Sequence, residues 1–248
     1  MAALGCCLAR GTKQVSKLSE HQMTSQRRTE KSTKVALPRT LSLHLVGLLR
    51  HQIITGAYKP DQPLREQDIE AEFGSSRGPV RESLRMLLQG GLVEYAERRG
   101  FRVRSYTVAD IENLYDLRSS LEGMVIGSLV GGSLETLIAD LLDSNRRMAV
   151  CFENNDLEGY FTENQVFHDR LIAESGNRPI SEVMVYVNEV SLPVRYRLLR
   201  ETLLSRRSLD YHERIVAHLA SGDIAAARFE TEEHILYNKQ NAARLYSV

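Results

Sequence analysis

"LREQDIEAEFGSSRGPVRESLRMLLQGGLVEYAERRGFRVRS", residues 64–105, is the stretch that decides the fold. Phe73-Gly74-Ser75-Ser76 interrupts a first apolar-periodic segment, and Gly74 is free to take the positive φ that a tight turn needs. Ser76 is placed to cap a second helix whose core face is Val80, Leu84, Leu87 and Leu88. The other side of that helix, near its start, projects Arg77, Arg81 and Arg85. Leu92-Val93-Glu94-Tyr95 and Phe101-Arg102-Val103-Arg104 alternate as strands about a turn at Glu97-Arg98-Arg99-Gly100. Two helices joined by a tight turn and followed by a basic hairpin describe a winged helix-turn-helix. That geometry sets one helix in a major groove and the hairpin tip against an adjacent groove. The expected partner is double-stranded DNA.

The 248 residues carry 32 Lys/Arg and 32 Asp/Glu, and the neutral total hides an asymmetry. Residues 1–105 hold 18 basic against 10 acidic side chains, which leaves 14 against 22 for the remainder. A basic front half suits nucleic acid, and an acidic rear half would repel it. No run approaches the length of a membrane span, and the opening MAALGCCLARG is too short for a secretory signal. Cys6, Cys7 and Cys151 form neither a disulfide framework nor a metal knuckle, so a reducing cytoplasm is expected. Residues 1–38 are polar and basic without apolar periodicity and read as a disordered arm. A helix over about 40–55, closed by Gly56, leads into the winged helix, which as a unit is expected over 39–105.

Everything after the wing reads helical. Thr107 caps a helix with Asp110 as its box partner, running to about Gly131. Further helices are expected at about 133–153, 156–175, 178–204, 208–221 and 223–246, with Pro193 kinking the fourth bundle helix. The fold class is therefore mainly α: an N-terminal winged helix-turn-helix with a small hairpin, then an all-α bundle of six helices over 106–248.

Two groups of polar residues sit on apolar stripes of that bundle. Arg118 lies at the centre of Ile111, Leu114, Leu121 and Val125, and a buried guanidinium needs an anionic partner. Either it pairs with a helix carboxylate such as Glu122 or snorkels to the bundle surface, or it clamps the carboxylate of a small effector, whose geometry suits a bidentate fork. Asn164 and His168, four apart, share the inward face with Phe161, Leu171 and Ile172. His212 heads the face of Ile215, Val216 and Leu219, and His234 lies beside Thr231 and Asn238 in the last helix. Inward imidazoles on three helices suit Zn²⁺, Ni²⁺ or a similar ion. The alternative is a metal-free polar pocket. His21, His44, His51 and His218 show no such pattern. Glu233, one residue from His234, points about 100° away around the helix, which is poor geometry for a hydrolytic base, so an enzyme is not expected.

"SSRGPVRESLRMLLQGGLVEYAERRGFRV", preceded by "IITGAYKPDQPLREQDI", resembles the GntR family of bacterial transcriptional regulators. The family pattern is a Ser-Arg-x-Pro-Val-Arg-Glu recognition helix, then Gly-Leu-Val and an Arg-Gly wing. Gly78 stands where the family usually has Thr, and Lys59-Pro60-Asp61 replaces a common Pro-Gly turn. "DIENLYDLRSSLEG", "NQVFHDRLIAESGN" and "YHERIVAHLASGDIAAA…EEH" resemble the FadR-type branch with its FCD domain. The resemblance implies base or phosphate contacts by Arg77 and Arg81, with Gly78 at a position that usually adds one more phosphate contact. Arg65, Gln67 and Arg85 would position the DNA backbone, and Arg99 and Gly100 would place the wing tip. It tilts Arg118 toward effector contact, and it implies a metal set of Asn164, His168, His212 and His234. Here Asn164 stands where metal-binding FCD domains carry Asp. The implied protein is a homodimeric repressor on a pseudo-palindromic operator, released by a small organic acid. A sensor in which the metal itself is the signal, a metal-dependent enzyme fused to a DNA-binding module, and an acyl-CoA-responsive regulator are the competing readings.

Overall fold

The computed structural model describes residues 37–129, 133–201 and 206–247. The arm expected over 1–38 lies, as far as residue 36, outside the described residues.

The first helix, α1 (Leu37–Thr55), starts earlier than expected and ends at Gly56, whose φ is 79°. A two-residue strand β1 (Pro63–Leu64) precedes α2 (Glu66–Phe73), and Gly74 closes α2 in the left-handed conformation at φ 60°. Its N–H reaches back to the Glu70 carbonyl, so the tight turn forms as the glycine predicts. Helix α3 (Arg77–Gln89) follows, then β2 (Val93–Ala96) and β3 (Gly100–Val103). The hairpin expected from sequence is in fact a three-stranded antiparallel sheet in the order β1-β3-β2, with Leu64 opposite Phe101 and Tyr95 opposite Phe101 on the other side. β1 was missed because a two-residue strand carries no period; only pairing with β3 makes it a strand.

Two local expectations fail. Ser76 occupies the N-cap position of α3 with extended backbone, but its side chain accepts no capping bond. Leu88, expected in the core, is 38% exposed, and Ser83 is buried instead. Ser83 Oγ donates to the Ser42 carbonyl of α1 at 2.9 Å, so a small hydroxyl fits the α1–α3 contact that a leucine would overfill. Val80, Leu84 and Leu87 pack with Leu45, Leu49 and Ile53 of α1 and with Phe101 and Val103 of the sheet.

The bundle comprises α4 (Val108–Gly127), α5 (Glu135–Glu153), α6 (Leu157–Glu174), α7 (Arg178–Glu201), α8 (Arg207–Ala220) and α9 (Ile224–Tyr246). The Thr107–Asp110 capping box is present in full. α4 stops at Gly127 instead of Gly131, and the expected end of α7 at 204 falls outside the described residues. α7 runs as helix through Pro193, whose missing N–H leaves the Glu189 carbonyl without its usual helical donor. A main core of Val125, Ile126, Leu141, Phe167 and Met184 with Ile215 joins α4 to α8.

One patch of α7 contacts α1, the turn after α3 and the segment that follows the wing. Glu189 takes both Nε and Nη2 of Arg50 in α1, at 2.7 and 2.9 Å. The Val190 carbonyl accepts from Tyr106 Oη at 2.6 Å. Gly91, just past α3, sits at φ 79° so close that an added Cβ would lie 2.6 Å from Val190 and 2.8 Å from Tyr186. Glycine is required there twice over, by its backbone and by this approach.

Candidate functional site

The first site is an open groove of about 620 Å³ on the winged helix. It gathers Arg65 and Gln67 from α2 and its N-cap, Arg77, Arg81 and Arg85 from α3, and Arg99 and Gly100 from the wing. Seven of the eight residues named from sequence therefore share one surface. Gly78 lies outside the groove lining, exposed, with open space where a Cβ would stand. The tip between β2 and β3 closes through Arg98 at φ 66° and Gly100 at φ 75°, which turns Arg99 outward.

Sequence reasoning missed Glu66. Its carboxylate lies in the groove, 2.9 Å from Arg77 Nε and 3.5 Å from Arg81 Nε. These are exposed pairs of small energy. They pre-align two guanidiniums toward the groove at the N-terminus of α3, where the helix dipole also favours an anion. Leu88 and Tyr95 line the same groove, which accounts for the exposure of Leu88. With five arginines against one glutamate, the groove suits a polyanion.

The second site is a cavity of about 60 Å³ inside the bundle, lined by Tyr115, Arg118, Asn164, His168, Arg195 and His234 among others. Arg118 Nη2 donates to Glu122 Oε1 at 2.7 Å, the helix-carboxylate pairing anticipated from the i,i+4 spacing. The other carboxylate oxygen, Oε2, lies 2.8 Å from His168 Nδ1, close but without the alignment of a hydrogen bond. Burial would raise the Glu122 carboxyl, yet His168 and Arg118 outweigh it and hold the group well below the usual carboxylate range. Arg195 was not singled out from sequence. It is buried, its Nη2 donates to Asn164 Oδ1 at 2.8 Å, and desolvation together with Arg118 brings its pKa down to about 10. The signal that finds Arg118 would have found it too: a cation on the apolar stripe of Val187, Val190, Val194 and Leu198.

Two buried guanidiniums thus face one buried carboxylate. Arg118 Nε and Tyr115 Oη are buried with no hydrogen-bond partner in the fold. Buried polar groups are ordinarily satisfied, so these atoms mark a place built for a ligand or solvent. Their net charge is positive.

His168, His212 and His234 come together as the sequence pattern implies. One ring nitrogen from each lies within 4.8 Å of the others, and all three residues are buried. Both nitrogens of His212 and Nδ1 of His234 lack a hydrogen-bond partner in the fold. Burial pushes His212 and His234 well below the ordinary imidazole range, with the neighbouring imidazoles and Arg195 adding to it. They are neutral at physiological pH, with lone pairs ready to coordinate. Three imidazoles are a donor set that Zn²⁺ and Ni²⁺ accept, so the residues present fit a metal. Asn164 has its carbonyl turned to Arg195 and keeps one lone pair beyond that bond. Glu233 is exposed, consistent with its expected direction away from the site.

Among the described residues no helix is long and apolar enough to cross a membrane. Residues 41–103 match the family described as bacterial regulatory proteins, gntR family, and residues 113–236 match the FCD domain. The gluconate operon transcriptional repressor of Bacillus subtilis (strain 168) is 30% identical over 182 residues, covering 71% of this chain and 74% of that one. The transcriptional repressor GlaR of Escherichia coli (strain K12) is 25% identical over 196 residues, covering 76% and 89%. A solved GntR transcriptional regulator from Rhodococcus sp. RHA1 is similar with a TM-score of 0.70 and 25% identity, covering 84% of this chain and 99% of that one. E. coli McbR/YncC shares the fold with a TM-score of 0.72 at 22% identity, over 84% of this chain and 99% of that one. The gluconate operon and GlaR relatives are named transcriptional repressors. The basic groove lies within the first matched segment, and Tyr115, Arg118, Asn164, His168, Arg195 and His234 of the cavity lie within the second. The chain belongs to the GntR family of bacterial regulatory proteins, as a DNA-binding transcriptional regulator with a C-terminal FCD domain.

Proposed function

We propose that this regulator is a cytoplasmic, homodimeric repressor whose winged helix (39–105) binds a pseudo-palindromic operator and whose bundle (106–248) takes a small organic acid as the releasing signal. The observation that carries the effector's charge is the buried imbalance of Arg118 and Arg195 against Glu122. An anion entering the cavity completes that balance and gives Arg118 Nε and Tyr115 Oη a partner. A cavity of about 60 Å³ suits a small acid and disfavours an acyl chain.

His168, His212 and His234, with Asn164, would hold a divalent metal, and the chemistry such an ion supplies is Lewis-acid anchoring of an acid's oxygens. Arg118 and Arg195 orient the carboxylate from the protein side. A metal and two arginines together carry more positive charge than Glu122 offsets, which makes an anionic ligand the natural complement.

Arg77 and Arg81 read guanine edges or adjacent phosphates, Arg65, Gln67 and Arg85 position the DNA backbone, and Arg99 with Gly100 sets the wing. The repressor names of the relatives and the two-fold logic of half-sites support the dimer and operator reading. Release requires that the acid bind the DNA-incompetent arrangement more tightly, since equal affinity shifts nothing. α7 is the mechanical link: Arg195 faces the cavity on it, and Glu189 and Val190, one to two turns earlier, hold α1 and Tyr106.

The test is a thermal-shift screen of small organic acids against metal-loaded and chelator-stripped protein. An acid that binds the folded state raises the melting point by mass action. Stabilisation by one acid in loaded protein, lost in Arg118→Met, is the expected result. Melting points that no acid moves in either form would overturn it. Operator affinity that responds to metal with no acid present would favour the metal-sensor reading, which the histidine cluster also supports.

A further inference from the structure

Between the winged helix and the bundle lies a second cavity, of about 200 Å³, larger than the one among the histidines. One wall comes from the end of α1 and the loop to Pro60, with Val103, Arg104 and Tyr106; the other comes from α7 at Pro193–Glu201 and from Tyr246 of α9. Four cationic side chains, Lys59, Arg104, Arg197 and Arg200, line it against one carboxylate, Glu201. The rest of the wall includes Ile53, Ile54 and Val103 and the rings of Tyr106, Tyr196 and Tyr246.

The cations are held in place. Arg197 lies 4.5 Å over the Tyr246 ring and donates to the Leu245 carbonyl at 3.0 Å. Arg104 Nε is buried without a hydrogen-bond partner, with the Glu94 carboxylate 3.4 Å away. A cavity that combines fixed guanidiniums with aromatic walls discriminates for a flat apolar body carrying an anionic end.

We propose that this joint is a second effector site, taking an aromatic carboxylate or aryl phosphate through Arg104, Arg197 and Arg200 with the ring held against the tyrosine walls. The site does not depend on the reading of the bundle cavity. Because both halves of the molecule line it, a bound anion pins the winged helix against α7 and stabilises that arrangement.

The chain has no tryptophan, so Tyr246→Trp places a single fluorescent reporter in the joint. Benzoate and phenyl phosphate are titrated into this full-length reporter, with benzyl alcohol as the uncharged control. The expected result is a saturable emission change with at least one of the two anions, weakened tenfold or more by Arg197→Met. Benzoate alone acting identifies a carboxylate site, and phenyl phosphate alone a phosphate site. If Arg197→Met fails to fold, the exposed Arg200→Gln carries the same test, with an expected weakening of at least threefold. The proposal is overturned if neither anion gives a saturable change or if benzyl alcohol binds as tightly as the anions. Binding that vanishes in Arg118→Met and survives the joint variants also overturns it.

Discussion

The winged-helix groove and the bundle cavity both concentrate arginines, and they do so under opposite physical conditions. In the groove, Arg77 and Arg81 are exposed and share Glu66 loosely. Solvent and salt screen them, so their charge is free to be spent on a phosphate backbone. In the bundle, Arg118 and Arg195 are buried around Glu122, where desolvation makes every unpaired charge expensive. An exposed arginine can therefore be lost with little effect on the fold, and a buried one cannot. The difference separates the surface proposed for DNA from the interior proposed for one small anion, and it can be broken or sharpened by substitution on each side.

The largest effect is expected from Glu122→Ala. It removes the carboxylate against Arg118 and His168 and leaves two buried guanidiniums without it, so urea denaturation should show a loss of about 3–5 kcal/mol. A loss below about 1 kcal/mol would mean that the bundle charges are as well solvated as those of the groove. Arg81→Ala comes next. Operator binding should weaken by about 1–3 kcal/mol, with a shallower salt slope if its contact is to phosphate, while the melting point and effector affinity stay unchanged. Operator binding that survives unchanged would remove α3 as the reading helix.

Third in size is the pH dependence of metal-free protein. His212 and His234 are held neutral in the fold, below the ordinary value of 6.5. The unfolded chain therefore binds more protons, and stability is full above about pH 6.5 and falls as pH drops below it. One unit lower the loss should be about 1–3 kcal/mol, and His212→Asn should reduce it in melting curves across that range. A flat profile between pH 7.5 and 5.5 would mean that the imidazoles are not held neutral. The smallest effect belongs to Gly78→Ala on the open face of α3. With nothing within 4 Å of the added Cβ, chemical denaturation should show a gain of about 0.5–1 kcal/mol.

The two regions also differed in how much of them could be read beforehand. In the groove nearly everything came from short-range spacing. Gly74 marks the turn, Arg77, Arg81 and Arg85 follow the helical period, and Gly100 marks the wing. Apart from the capping bond that Ser76 does not make, errors arose where a partner far along the chain decides, as when Ser83 rather than Leu88 met α1 and when β1 formed against β3. In the bundle, the pattern of His168, His212 and His234 was legible because each sits on an apolar stripe. That Glu122 joins Arg118 to His168, and that Arg195 turns Asn164 aside, was not.

By itself the sequence determined the run of helices, most of their breaks and the inward faces of the helices. Those depend on backbone preferences and on periods of three or four residues, which any local stretch displays. Tertiary structure alone decided which buried charges neutralise one another, which nitrogens lie within 4.8 Å, and that Tyr186, Glu189 and Val190 of α7 carry the joint to the winged helix. Apart from the i,i+4 pair of Arg118 and Glu122, those contacts join residues far apart in the chain, up to 139 positions for Arg50 and Glu189, and pairing energies that act only across space leave no period in the chain.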